Sequence, residues 1–162
     1  MKRIFFVRHA KAVTANIGDS DFERVLDSQG KTQAAIAASA LAESVFSANE
    51  RVDAVVCSPA VRAKSTAAYF ISALNHNDSH SYESQPLQTE EYAALYGATY
   101  EQVSKVIKGF PETWQTVVLV GHNPSLADIK AFIEHNWRSD MHTASVFDAK
   151  FEVETWYAVK VQ

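Results

Sequence analysis

The chain has 162 residues, of which 47% are apolar and 21% charged, and its net charge is −4. That is an ordinary globular composition, with chain enough to bury a core without disulfides or a structural metal. It offers no basic footprint for nucleic acid or an anionic membrane, and no stretch reaches the roughly 20 apolar residues of a membrane span.

The opening apolar run, Ile4-Phe5-Phe6-Val7, stops at Arg8 and is too short for a secretory signal. The lone Cys57 excludes an internal disulfide and suits a reducing compartment. The expectation is one domain over residues 1–162, in the cytoplasm, with no nucleic-acid or membrane partner. Composition does not set the oligomeric state.

Residues 4–7 form a short, β-favouring run, as in a buried strand. Residues 13–23 are polar and read as a loop. Residues 28–46 are Ala-rich and predict a helix, with Asp27 or Ser28 as its cap. Residues 52–57 are a second buried strand. Ser58-Pro59 then opens a helix to about residue 74, with Ser58 as the cap and Pro59 in the first turn. Residues 75–84 read as a loop, and a weaker strand lies near 82–87. Residues 99–108 predict a helix stopped by Gly109 and Pro111. Residues 117–120 are a third apolar strand. Asn123-Pro124 repeats the cap-then-proline signal and starts a helix to about His135. Polar and apolar residues alternate over 146–161, predicting one or two half-exposed strands, with a hairpin near 153–155. Strands alternating with helices predict an α/β fold: a mostly parallel central sheet flanked by helices, with C-terminal strands that can run antiparallel.

In such sheets, ligands bind beyond the carboxyl ends of the strands. The first strand ends in Arg8-His9. The second ends in Cys57-Ser58-Pro59, with Arg62 one turn on. The third ends in Gly121-His122-Asn123-Pro124. If the strands are parallel neighbours, two arginines and two histidines converge with two helix N-termini. That is an anion site, and guanidinium forks suit phosphate oxygens. A neutral imidazole there is also a competent nucleophile toward phosphorus. Phosphoryl transfer otherwise needs positioning and charge neutralisation, which Arg8, Arg62 and a protonated or hydrogen-bonding His122 can supply. This logic requires no metal or other cofactor, and no carboxylate cluster or tight His/Cys spacing suggests a metal site.

Several segments resemble the histidine phosphatase superfamily. Phe6-Val7-Arg8-His9-Ala10-Lys11 resembles its Arg-His-Gly signature, with Ala10 in place of glycine. The form Val-Arg-His-Ala-Lys is similar to that of the SixA-type branch, the small phosphohistidine phosphatases. Arg24-Val25-Leu26-Asp27-Ser28-Gln29-Gly30 resembles that branch's Arg-Pro-Leu-Thr-x-x-Gly, departing from it at Val25 and Asp27. Ser58-Pro59-Ala60-Val61-Arg62-Ala63-Lys64-Ser65-Thr66-Ala67, Leu95-Tyr96-Gly97-Ala98 and Val120-Gly121-His122-Asn123-Pro124 agree as well, in family order. The resemblance implies a phosphoglycerate mutase-like three-layer sandwich. It makes His9 the phosphorylated nucleophile and puts Arg8, Arg62 and His122 in the phosphate pocket. The implied substrate is protein phosphohistidine, carried in SixA-type systems by a histidine phosphotransfer domain.

Blander roles compete at other positions. Arg24 reads equally as a substrate contact or a solvated loop residue. Lys11 reads as a surface lysine, Ser58 and Asn123 as caps, and Cys57 as a small buried residue. His76, His80, His135 and His142 have no motif around them. The general acid is open. Setting Tyr96-Gly97 against the mutase-like branch puts Ala93 where that branch has a glutamate, with Glu90 and Glu91 nearby but out of register. A missing acid fits a phosphohistidine better than an alkyl ester. Two alternatives stand beside this reading: a small-metabolite phosphatase using Glu90 or Glu91, and a non-catalytic phospho-ligand-binding module.

Overall fold

A computed structural model describes residues 1–77 and 86–161, with the side chain of Asn77 outside the description. The strands are β1 (Lys2–Arg8), β2 (Ala54–Cys57), β3 (Thr89–Glu91), β4 (Thr116–Gly121) and β5 (Val146–Phe151). The α-helices are α1 (Ser28–Ser47), α2 (Val61–Asn77), α3 (Tyr100–Lys108) and α4 (Ser125–Glu134). The strands form one sheet in the order β3-β2-β4-β1-β5. Pairing is parallel except for β5, which runs antiparallel to β1.

Alternation along the inner strands explains the apolar runs of β1, β2 and β4. Ile4, Phe6, Val117 and Leu119 face α3, α4 and Trp156. Phe5, Val7, Val118 and Val120 face α1 and α2. Both sheet faces are covered, so both side-chain rows must be apolar. The result is the expected three-layer α/β sandwich.

Local differences have physical causes. The strand expected near 82–87 lies partly outside the described residues. Pro86 and Leu87 are not in a strand, because the Asn75 side chain takes both backbone groups of Leu87. The edge strand forms instead at Thr89–Glu91. No hairpin forms near residues 153–155. One tail strand, β5, pairs with β1, and the chain then enters a short 3-10 turn at Trp156–Ala158. That turn seats the fully buried Trp156, whose ring lies 5.0 Å from the Lys2 ammonium.

Asp27 caps α1 as expected, accepting from the Gly30 amide. Gly30 itself lies against the Lys11 backbone, where an added Cβ would overlap the Lys11 carbonyl. Gly30→Ala is therefore expected to cost about 2–3 kcal/mol despite alanine's better helix propensity, because backbone must move. Urea unfolding of the two proteins checks this; equal midpoints would refute it.

Candidate active site

β2, β4 and β1 are adjacent and parallel, so their carboxyl ends share one edge. The His9 amide donates to the Gly121 carbonyl (3.0 Å), and the Ser58 amide to the Val120 carbonyl (3.1 Å). These bonds lock the three strand ends in register. They bring the His9 and His122 ring centroids to 5.1 Å and Arg62 Nε to 3.3 Å from His9 Nε2. Both histidines are 9% exposed.

The tautomer of His9 follows from its partners. Nδ1 lies 2.8 Å from the Ala10 carbonyl oxygen, which only accepts, so Nδ1 carries the hydrogen. Nε2 then keeps its lone pair, which faces the Arg62 Nε–H. Ala10 in place of glycine causes no strain, because its φ is not positive. Its methyl is buried with Leu26, Ala34 and Ala144. The Ala10 amide donates to Thr66 Oγ1 (3.0 Å), whose hydroxyl donates to the Arg62 carbonyl (2.8 Å). One threonine thus ties the loop after His9 to the helix carrying Arg62.

Arg8 donates through one terminal nitrogen to the Met141 carbonyl (2.6 Å). Its Nε is buried without a partner. An orphaned guanidinium N–H is costly unless a ligand satisfies it. Arg62 donates through its terminal nitrogens to the Asp21 carbonyl (2.6 Å) and the Asp21 carboxylate (3.0 Å). That carboxylate also accepts from Tyr96 Oη (2.9 Å) and Arg24 (3.0 Å). Tyr96 packs edge-on against His122, with Phe22 against its other side.

Burial and the surrounding arginines set the charge states. Burial pushes His9 down to about 4, with Arg62, Arg8 and Arg24 adding to the effect and the Ala10 carbonyl opposing it. Burial, His9 and Arg62 push His122 down to about 3. Both rings are neutral near pH 7. Of the two forms expected for His122, the structure favours the neutral one. Its Nε2 lies 2.7 Å from Ser58 Oγ. Asp21 is held down to about 2 by its hydrogen bond from Arg24 and by Tyr96 and Arg62. Burial pushes the Cys57 thiol up to about 12, which makes it unsuited to act as a thiolate.

Two expected caps play other parts. Ser58 does not cap α2, which begins at Val61; its hydroxyl meets His122 and accepts from the Ala60 amide. Asn123 does not cap α4 either. Its Nδ2 donates to the Met141 carbonyl, the oxygen that also accepts from Arg8. The convergence of two chain segments on Met141 outweighs the local capping signal.

The expected quartet is together, and Arg24 stands beside it as a partner of Asp21. Lys11 is exposed and meets Gln29 and Asp27. His76, His135 and His142 are exposed, and His80 lies outside the described residues. Glu91 pairs with Lys64 at 3.7 Å, and Glu90, beside Val56 on the edge strand, lines a cavity with Arg51, Asp53 and Trp114. Neither is among the charges acting on His9 or His122. Sequence reasoning missed Asp21, Tyr96 and Thr66. The latter two sit inside quoted motifs, so their positions were visible but their contacts were not. Among the described residues, no three His, Cys, Asp or Glu side chains gather as metal ligands would. No helix there is long and apolar enough to cross a membrane.

A convergent pair of neutral histidines and two arginines at the carboxyl edge of a parallel sheet defines a phosphate-handling α/β protein. The sequence matches the histidine phosphatase superfamily (branch 1) over residues 4–124, and the chain belongs to that family. No curated protein sequence matches it. Among solved structures, it is similar to a SixA protein of Agrobacterium tumefaciens, assigned as a phosphohistidine phosphatase. That match has a TM-score of 0.74 and 28% identity, covering 91% of this chain and 90% of that one. A protein histidine phosphatase SixA complexed with tungstate aligns with a TM-score of 0.71 at 20% identity, covering 90% and 86%. A mycobacterial glucosyl-3-phosphoglycerate phosphatase aligns at 0.66 and 16%, covering 98% and 95%. At these last two identities the likeness is one of fold.

Proposed function

We propose that the chain is a phosphatase that passes the phosphoryl group through His9, with protein phosphohistidine as its substrate. The observation that carries this is the state of His9: Nδ1 pinned to the Ala10 carbonyl and Nε2 left as a lone pair beside Arg62. Arg62 and the unpartnered Nε of Arg8 receive phosphoryl oxygens. His122 Nε2 pairs with the Ser58 hydroxyl; with that hydroxyl as donor, Nδ1–H of the neutral ring is a further donor.

The chemistry balances without a general acid. A phosphohistidine protonated on its other ring nitrogen loses its P–N bond, and the electron pair stays on the departing nitrogen. The ring leaves as neutral imidazole. The new bond from His9 Nε2 to phosphorus moves the positive charge onto His9, whose Nδ1–H remains donated to Ala10. Water then attacks phosphorus, the His9–P bond breaks, and dihydrogen phosphate leaves with His9 neutral again. Ala93 at the expected acid position, and the absence of Glu90 and Glu91 from the charges acting on His9 and His122, both support this substrate over an alkyl ester. The half-exposed Asp21 and the exposed Tyr96 put the rim of the site at the surface, where a side chain of a partner such as a phosphotransfer domain would approach.

The test is a substrate panel. A phosphohistidine peptide is expected to be hydrolysed with a kcat/KM at least about tenfold above that of an alkyl phosphate, since only the ester needs a proton donor. Equal or reversed preference would favour the metabolite phosphatase, and binding of phosphate without turnover would favour the non-catalytic module.

A further inference from the structure

Asp21 is an anomaly in an anion site. Its carboxylate is 53% exposed, on the loop between β1 and α1, and it contacts Arg62, Arg24 and Tyr96. A carboxylate so placed repels an incoming phosphate and the negative charge that grows on an ester's leaving oxygen. It also takes up donors: of the five N–H groups of a guanidinium, Asp21 engages two on Arg62 and His9 faces a third, leaving two for a phosphoryl group. An acid–base role does not explain it. Held by two arginines, the group stays ionised and has no proton to give.

Its position suggests another use. His9 lies at the buried floor of the site, and the leaving group of an in-line transfer departs on the side opposite the nucleophile. That side is the mouth, where Asp21 and the exposed Tyr96 hydroxyl stand. We propose that Asp21 is a specificity-determining residue: a fixed anion at the mouth that selects a substrate whose leaving ring arrives as a cation and departs neutral, the ring-protonated imidazole of a phosphohistidine, over the ester whose leaving oxygen becomes anionic. The carboxylate stabilises the proton on the distal ring nitrogen while the P–N bond breaks. Arg24 and Tyr96 hold it at the mouth, so it does not swing inward against the phosphoryl oxygens. This inference rests on the phosphatase reading above and names the feature of the site that chooses its substrate.

The experiment compares wild type and Asp21→Asn on three substrates: N-phosphorylimidazole, a phosphohistidine peptide and p-nitrophenyl phosphate. Asparagine keeps the shape and can still accept from Arg62 and Tyr96 through its one amide oxygen, while the charge and the Arg24 hydrogen bond are lost. An opposite charge within a few ångströms shifts a proton equilibrium by roughly tenfold or more. The kcat/KM ratio of N-phosphorylimidazole to p-nitrophenyl phosphate is therefore expected to fall about tenfold in the variant. A ratio that is unchanged or raised overturns the proposal and leaves Asp21 as a positioning residue for Arg62. The peptide separates the two claims. If wild type ignores it but the small-substrate ratio still falls in Asp21→Asn, the protein-substrate reading fails and the role of Asp21 stands. A wild type inactive on N-phosphorylimidazole overturns both.

Discussion

His9→Ala is expected to lower kcat/KM by about four orders of magnitude or more, the scale on which removing a covalent nucleophile acts. Among the described residues no other side chain is placed to replace it. His122 is the nearest imidazole, but its Nε2 is engaged by Ser58. Cys57 is buried, with its thiol pushed up to about 12. Rapid-quench capture gives the direct readout: wild type should carry an acid-labile, base-stable phosphate that the variant lacks. Phosphate binding should survive in part, because Arg8 and Arg62 remain. A variant with wild-type turnover would refute the covalent mechanism. Activity has a pH signature too. With His9 held down to about 4, the acid limb of kcat/KM should lie well below the ordinary histidine range near 6.5.

The second large effect is on stability. His9 and His122 have folded pKa values of about 4 and about 3, below their unfolded value near 6.5. Between those limits the unfolded chain binds protons that the native state refuses, so stability must fall as pH drops from about 6.5 toward 4. Above that window both states hold neutral rings and the penalty vanishes. The loss between pH 7.5 and 5 is expected to be on the order of 2 kcal/mol per histidine. Asp21 has the opposite dependence. Its depressed pKa contributes stability that is present above the unfolded carboxylate range and lost as pH falls toward 2. It is half exposed and screened, so its contribution is small and lies outside the histidine window. Urea unfolding at the two pH values checks the slope, and His9→Ala should flatten it by about half. A flat profile in wild type would mean that the rings are not desolvated as the structure has them.

The two effects share one cause. Burying two imidazoles among arginines keeps His9 and His122 neutral, and the same burial makes the native state sensitive to acid. Neutral rings beside two guanidinium groups leave the site's positive charge on the arginines, where planar forks suit phosphoryl oxygens.

Much of this was legible in the chain itself. Unbroken apolar runs such as residues 4–7 and 117–120 can be stable only with both faces covered, which calls for a layered α/β fold. Arg8-His9, Arg62 and His122 each follow such a run, and that placement alone locates the phosphate half of the site. The family motifs supplied the order.

Contacts between distant segments were not legible. Lys2 and Arg3 lie outside the apolar run read as a strand, yet both are buried: Lys2 against the Glu112 and Trp114 carbonyls, Arg3 on Asp148. Ser58 and Asn123 carried capping signals that the meeting of three strand ends overrode. Asp21 looked like one acid in a polar loop. Only the folded chain sets it on Arg62, 41 residues away, and beneath the Tyr96 hydroxyl, 75 residues away. Local pattern determines which residues lie at a strand's end, because burial and periodicity act over a few residues. What each residue then touches depends on which loops the tertiary structure folds over that end. In this protein that difference separates the histidine and arginine cluster, readable from sequence, from the Asp21 and Tyr96 contacts around it, which only the tertiary structure sets.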